Sequence, residues 1–289
     1  MGPDGAARGT GVNPGGFLRQ VLVHKAREIE LGQKVLPLAV LQDRLGRLGP
    51  PRDFAGALRR AYRAAGAGGL PRPAIIAEYK RASPSRGIIR TDIGPAEMAQ
   101  RAQAAGAAAL SVLTDREFFQ GAPEYLAAAR EACSLPVLRK DFIIDPYQVY
   151  ESRYLGADAV LLIAAAVTPE RLALLTRLVA TLGMTPLVEI HTPVDLAAAL
   201  AAGAPVVGIN NRNLDTMAVD LAVTGQLAPL VPPDVLVVSE SGIRNRADVD
   251  RVLRAGAKAI LVGEAVMSGG VEAPLQELLD GTRAGEVGA

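Results

Sequence analysis

Glu78 and Lys80 follow an apolar run, Ala74-Ile75-Ile76-Ala77, and stand two residues apart. In an extended strand that spacing projects both side chains to one face. A carboxylate and an ammonium on the inward side of a buried strand are costly unless they pair or do work. Ser83, Pro84, Ser85 and Gly87 come next, a turn of hydroxyls and backbone N–H groups suited to an anion. Taken alone, the stretch also reads as a structural ion pair and an ordinary turn. The pattern recurs, however. Arg139-Lys140-Asp141 closes the run Pro136-Val137-Leu138, and Glu189 follows Leu187-Val188. Asn210-Asn211-Arg212, Ser239-Glu240-Ser241-Gly242 and Gly263-Glu264 end three later runs. Glutamate and lysine are seldom buried singly. Gathered at one mouth, they supply general acids, bases and paired cations.

Bringing them together requires strands that end on the same side. Apolar runs bounded by turn residues predict parallel strands at Ala74–Tyr79, Ala108–Leu113, Pro136–Arg139, Ala159–Ile163, Pro186–Ile190, Val206–Ile209, Val235–Val238 and Ala259–Val262. Helical stretches alternate with them, several opening on proline, which suits a first helical turn. A Gly-Ala pair recurs between helix and strand at Gly106, Gly156, Gly203 and Gly256, at intervals of 50, 47 and 53 residues. Glycine there ends a helix in the left-handed conformation. Each interval fits two strand–helix modules, so the chain is expected to form a single (β/α)8 barrel. An open doubly wound sheet fits the alternation but not this period, and the turn after Lys80 is no dinucleotide loop. In such a barrel the loops after strands seven and eight commonly seat a phosphate. Ser241-Gly242 and Gly263-Glu264, expected to open onto short helices, occupy those loops.

No strand is predicted before Ala74. Residues 17–73 are expected to form a helical extension packed on the barrel, either as an amphipathic cap with its basic face in solvent or as a lid. Gly66 to Pro73 reads as a hinge-like linker, residues 1–16 as a disordered tail, 74–280 as the barrel and 281–289 as a flexible tail with no second enzyme. With 289 residues, 49% hydrophobic and 21% charged, the chain can build one large core. A net charge of +1 makes no electrostatic case for nucleic acid or membrane. One cysteine, Cys133, and two histidines, His24 and His191, argue against a His/Cys metal cluster and for a reducing cytoplasm. No apolar run reaches membrane-spanning length.

The stretch Ile76-Ala-Glu-Tyr-Lys-Arg-Ala-Ser-Pro-Ser85 resembles the first-strand signature of indole-3-glycerol-phosphate synthases. Leu138-Arg-Lys-Asp-Phe-Ile-Ile-Asp145, Leu187-Val-Glu-Ile-His191, Gly208-Ile-Asn-Asn-Arg-Asn-Leu214 and Ser239-Glu-Ser-Gly-Ile243 resemble later family motifs, in order. The resemblance implies ring closure of 1-(2-carboxyphenylamino)-1-deoxyribulose 5-phosphate, with loss of carbon dioxide and water and no cofactor. It implies Lys140 as general acid and Glu189 as base of the dehydration, with Glu78, Lys80 and Asn210 assisting. It further implies Arg212 and Glu240 as substrate contacts. Ser83, Ser241, Gly242, Gly263 and Glu264 would form the phosphate seat, and Phe119, Phe142, Leu161 and Leu261 the aryl pocket. Tyr79 and Glu264 depart from the expected pattern: Tyr79 is expected to face the helices, and Glu264 to offer only its backbone N–H. A monomer acting on a small phosphorylated substrate is expected. The rivals are the preceding barrel isomerase, a Schiff-base aldolase and an inactive binding barrel.

Overall fold

The computed structural model describes residues 16–63, 72–214 and 216–280. The expected N-terminal tail before Gly16, most of the linker from Gly66 to Pro73, and the tail after Asp280 lie outside them. Eight parallel strands close into a barrel: β1 (Ala74–Tyr79), β2 (Ala109–Leu113), β3 (Val137–Lys140), β4 (Ala159–Ile163), β5 (Thr185–Ile190), β6 (Val206–Asn210), β7 (Leu236–Glu240) and β8 (Ala259–Val262). Neighbours in sequence are neighbours in the sheet, and β1 closes the ring on β8 with Ala74 opposite Ala259. Each predicted strand is present, three with the predicted bounds and the others with ends shifted by a residue or two.

Alternation along the strands decides what faces where. Ile75, Ala77 and Tyr79 pack outward with the helices, whereas Ala74 and Ile76 pack inward. Glu78 is next in the inward series. The same parity sends Lys140 inward after Leu138, Glu189 after Leu187, and Glu240 after Leu236 and Val238. Tyr79 faces the helix layer as expected, its hydroxyl donating to the Ile93 carbonyl at 3.1 Å. Gly106, Gly156, Gly203 and Gly256 all have positive φ, between 77° and 112°. Gly183 ends the helix Pro169–Thr181 in the same way, at φ 79°, without an alanine after it.

The extension is three helices, α1 (Gly16–Val35), α2 (Leu38–Leu45) and α3 (Phe54–Arg63). It grips both ends of the barrel. Phe54 and Leu58, both fully buried, join the inward cluster beside Ala74, Ala109 and Ala259. Burying two such side chains contributes roughly 3–6 kcal/mol before entropy is counted. Beside them, Asp158 accepts from the backbone N–H groups of Arg52 at 2.7 Å and Val137 at 2.9 Å. At the opposite end α1 sends Leu18 and Val21 into the inward cluster. Arg19, Arg27 and Lys34 form the expected solvent-facing basic side of α1, but Lys25 does not join them. Lys25 is fully buried against carboxylates from the barrel, because barrel acids reach it where solvent would otherwise be.

Candidate active site

One cavity opens at the carboxyl ends of the strands, and the side chains singled out above line it together. Glu78 and Lys80 come from β1 and the residue after it, Lys140 from β3, Glu189 from β5, Asn210 and Arg212 from β6 and its loop, and Glu240 from β7. Phe119, Phe142, Leu161 and Leu261 form the apolar wall. Ser83, Ser241, Gly242, Gly263 and Glu264 lie on the side of the β1, β7 and β8 loops.

The charges interlock. Lys80 Nζ donates to Glu78 Oε1 at 2.7 Å. Lys140 Nζ donates to Glu189 Oε2 at 3.2 Å and to Glu240 Oε2. Asn210 Nδ2 donates to Glu189 Oε1 at 3.1 Å, and Ser111 Oγ reaches Glu78 Oε2 at 3.4 Å. Glu78, Glu189 and Glu240 are each at most 5% exposed. Three buried carboxylates therefore share two ammonium groups, an imbalance of one negative charge.

The protonation states follow from that imbalance. Burial pushes the Glu78 carboxyl up, but Lys80 and Lys140 outweigh burial and hold it below the usual carboxylate range. Burial opposes the Lys140 ammonium, yet Glu240, Glu189 and Glu78 together raise its pKa, so it stays charged. Glu240 absorbs the excess. Burial first, then Glu189 and Glu78 against the pull of Lys140, push it up to about 7. Its Oε1 is buried with no hydrogen-bond partner, poised for a proton or a ligand hydroxyl.

Space for this carboxylate is reserved by Gly208, in the neighbouring strand β6. A Cβ there would stand 2.1 Å from Glu240 Oε1 and 2.7 Å from Leu187 Cδ2. Gly208→Ala is expected to displace Glu240, with an overpacking cost of roughly 1–3 kcal/mol. Activity should fall at least tenfold while the chain still folds; steady-state kinetics beside a thermal melt check this.

The loops hold features the sequence concealed. Ala82–Ser83 pairs antiparallel with Gly87–Ile88, so the turn after β1 is a small ribbon at the mouth. From it Arg86 pairs with the Glu264 carboxylate, which stands among the seat residues with its charge engaged. Gly263-Glu264 does open onto a short helix, Glu264–Gly269. After Ser241-Gly242 there is no separate short helix, and the chain runs to Arg246–Arg254, capped by Asn245. The third-strand triplet splits by parity. Arg139 points outward to Glu151 at 2.8 Å, and Asp141 binds Lys25 at 2.8 Å. Lys25, Asp115 and Asp141 went unassigned in the sequence; their signal, charges flanking a catalytic strand end, becomes legible only once α1 is docked.

Fold and site together define a (β/α)8 barrel whose mouth gathers acidic and basic side chains around one cavity. A family model for indole-3-glycerol phosphate synthase matches residues 18–278. The chain is 50% identical to the indole-3-glycerol phosphate synthase of Acidithiobacillus ferrooxidans over 251 residues, 87% of this chain and 93% of that protein. It is likewise 50% identical to that of Aromatoleum aromaticum, covering 87% and 94%. The chain belongs to the indole-3-glycerol phosphate synthase family. The N-acetylmannosamine-6-phosphate 2-epimerase of Clostridium perfringens shares the fold alone, at 16% identity and a TM-score of 0.51, over 67% of this chain and 87% of that one.

Proposed function

We propose that Lys140 is the acid and Glu189 the base of this family's reaction, the conversion of 1-(2-carboxyphenylamino)-1-deoxyribulose 5-phosphate into indole-3-glycerol phosphate, carbon dioxide and water. The chain is accordingly a carboxy-lyase of tryptophan biosynthesis. The observation that carries the assignment is the position of the Lys140 ammonium between two carboxylates, inside the cavity walled by Phe119 and Phe142. As the aryl carbon attacks the ketone, negative charge develops on the carbonyl oxygen. A fixed ammonium in a dry site stabilises that charge and hands over the proton. The substrate carboxylate needs a cation until it leaves as carbon dioxide, and Lys80 is the ammonium beside Glu78. The new hydroxyl then departs with help from an acid, while Glu189 removes a proton. Asn210 orients Glu189, Glu78 orients Lys80, and Arg212 and Glu240 bind substrate hydroxyls. Ser83, Ser241, Gly242, Gly263 and the Glu264 backbone seat the phosphate. Phe119, Phe142, Leu161 and Leu261 hold the aryl ring.

The test is the appearance of indole fluorescence when the purified chain meets the synthetic ribulotide; no signal would sink the reading. A Schiff-base aldolase needs a lysine pushed toward its neutral amine, whereas the surroundings of Lys140 hold its proton on. The preceding isomerase is expected to need a cysteine at a strand end. Cys133 instead follows the helix Pro123–Ala132, ahead of β3. We place the enzyme in a reducing cytoplasm, as a monomer free of cofactor. Size-exclusion chromatography with light scattering tests the monomer, and full activity in chelator tests the lack of a metal.

Glu240 gives this reading a pH signature. The substrate carries a carboxylate and a phosphate up to a cluster in which three carboxylates share two ammonium groups, so protonated Glu240 favours binding. Affinity for the reduced, unreactive ribitol analogue should fall as pH rises through about 7. Binding at pH 7.5 should take up a fraction of a proton. Calorimetry in buffers of different ionisation heat measures that uptake. Glu240→Gln should abolish it, and persistent uptake in that variant would reassign the titrating group.

A further inference from the structure

We infer that Lys25 is a positioning residue for the aryl half of the active site, a role that rests on the function proposed above. Its ammonium is fully buried within ion-pair distance of three carboxylates: Asp115 Oδ2 at 2.9 Å, Asp141 Oδ1 at 2.8 Å and Glu28 Oε2 at 2.9 Å. Asp115 and Asp141 are themselves buried, so these are not solvated surface pairs. Lys25 itself does not line the cavity. What it holds does.

Asp115 Oδ1 accepts from the Phe118 N–H at 2.7 Å, capping the short helix Arg116–Phe119 that delivers Phe119 to the cavity. Asp141 Oδ1 accepts from the Phe142 N–H at 2.8 Å, and its Oδ2 accepts from Thr114 Oγ1 at 2.6 Å and from Arg139 at 3.2 Å. Phe119 and Phe142 face each other with ring centres 6.2 Å apart. One ammonium thus ties together the two backbone turns that aim the two rings. It sits on α1, whose Phe17 also lines the cavity and packs edge-on against Phe118 at 5.6 Å. The residue before Asp141 is Lys140, so the same clamp fixes the strand end that presents the acid.

The charge count favours a built device. Lys25 and Arg139 balance Asp115 and Asp141, and the half-exposed Glu28 and the partly buried Glu151 close the network at its edges. A purely mechanical fastening of α1 would be served by apolar side chains at lower desolvation cost. A cationic clamp adds direction, because each carboxylate can bond the lysine and one backbone N–H only in one orientation.

The experiment compares two probes by calorimetry: the reduced ribitol analogue of the substrate, which uses the aryl wall, and inorganic phosphate, which does not. For Lys25→Met the analogue is expected to bind at least tenfold more weakly, with phosphate affinity held within twofold. A general loosening of the barrel would weaken both probes alike, and that result, or no change in either, would overturn the proposal. Lys25→Met leaves the buried Asp115 without a cation and Asp141 with Arg139 alone, so Asp115→Asn is the companion variant. Asparagine preserves the helix cap while removing one ion pair. It should weaken the analogue at least threefold and leave phosphate unchanged; if Lys25→Met fails to fold, this variant alone decides. A native chain that forms no indole product overturns the functional reading and the role of Lys25 with it. A native chain that forms it, with analogue binding indifferent to both substitutions, overturns only the latter.

Discussion

Lys140→Ala should cut kcat by about 10³-fold or more, with the reduced analogue still bound within about tenfold of the native affinity. The size follows from what is removed. A positioned acid contributes about 10²–10⁴-fold, and a preorganised charge at a developing oxyanion a further share. On the proposed assignment both reside in the one ammonium of Lys140. The ground state loses less, because Lys80 remains beside Glu78 and the phosphate seat and aryl wall do not involve Lys140. Stability should fall in a pH-dependent way, unlike that of a usual apolar truncation. Removing the cation leaves Glu78, Glu189 and Glu240 facing each other, so the variant should bind a proton or two more and melt earlier above neutral pH. Steady-state fluorescence kinetics, analogue titration and melts at pH 6 and 8 separate these effects. Unchanged turnover would remove Lys140 from the chemistry.

Legibility of the site in the sequence had a physical limit. Strand parity is a local property, so Glu78, Lys140, Glu189 and Glu240 could be placed on one mouth from the apolar runs that precede them. The helix-ending glycines could be counted for the same reason, although Gly183 escaped because methionine follows it. Docking is not local. Phe17, Val21, His24, Lys25 and Glu28 read as an ordinary amphipathic turn, with nothing to distinguish a lysine destined for full burial from its solvated neighbours. The partners that bury Lys25 lie about 90 and 116 residues away. Arg86 and Glu264 pose the same problem. A carboxylate in an anion seat looks like a defect until the ribbon after β1 brings it a guanidinium. Whatever depended on one strand's own alternation could be foreseen; whatever depended on a loop or helix crossing the barrel mouth could not.

Glu189→Gln should separate the two halves of the reaction instead of stopping both. On the proposed assignment ring closure and loss of carbon dioxide draw on Lys140 and Lys80, whose immediate partners include Glu240 and Glu78. Dehydration alone requires a base, and glutamine cannot accept the proton. Carbon dioxide release should therefore persist within about tenfold of native in a single turnover, while indole formation slows by about 10²–10³-fold. The hydroxylated, decarboxylated intermediate should accumulate and be trappable by acid quench. The isosteric amide keeps a hydrogen bond to Asn210 available and leaves Lys140 with Glu240, so the cavity should retain its shape. Removing one of three carboxylates also lowers the proton affinity of Glu240, whose pKa is raised in part by Glu189. The pH dependence of analogue binding should accordingly shift toward acid in this variant. Loss of carbon dioxide release in step with indole formation would place Glu189 in the closure step. The ammonium that Lys140 shares between Glu189 and Glu240 would then have to be treated as one proton-transfer unit, with neither carboxylate acting alone.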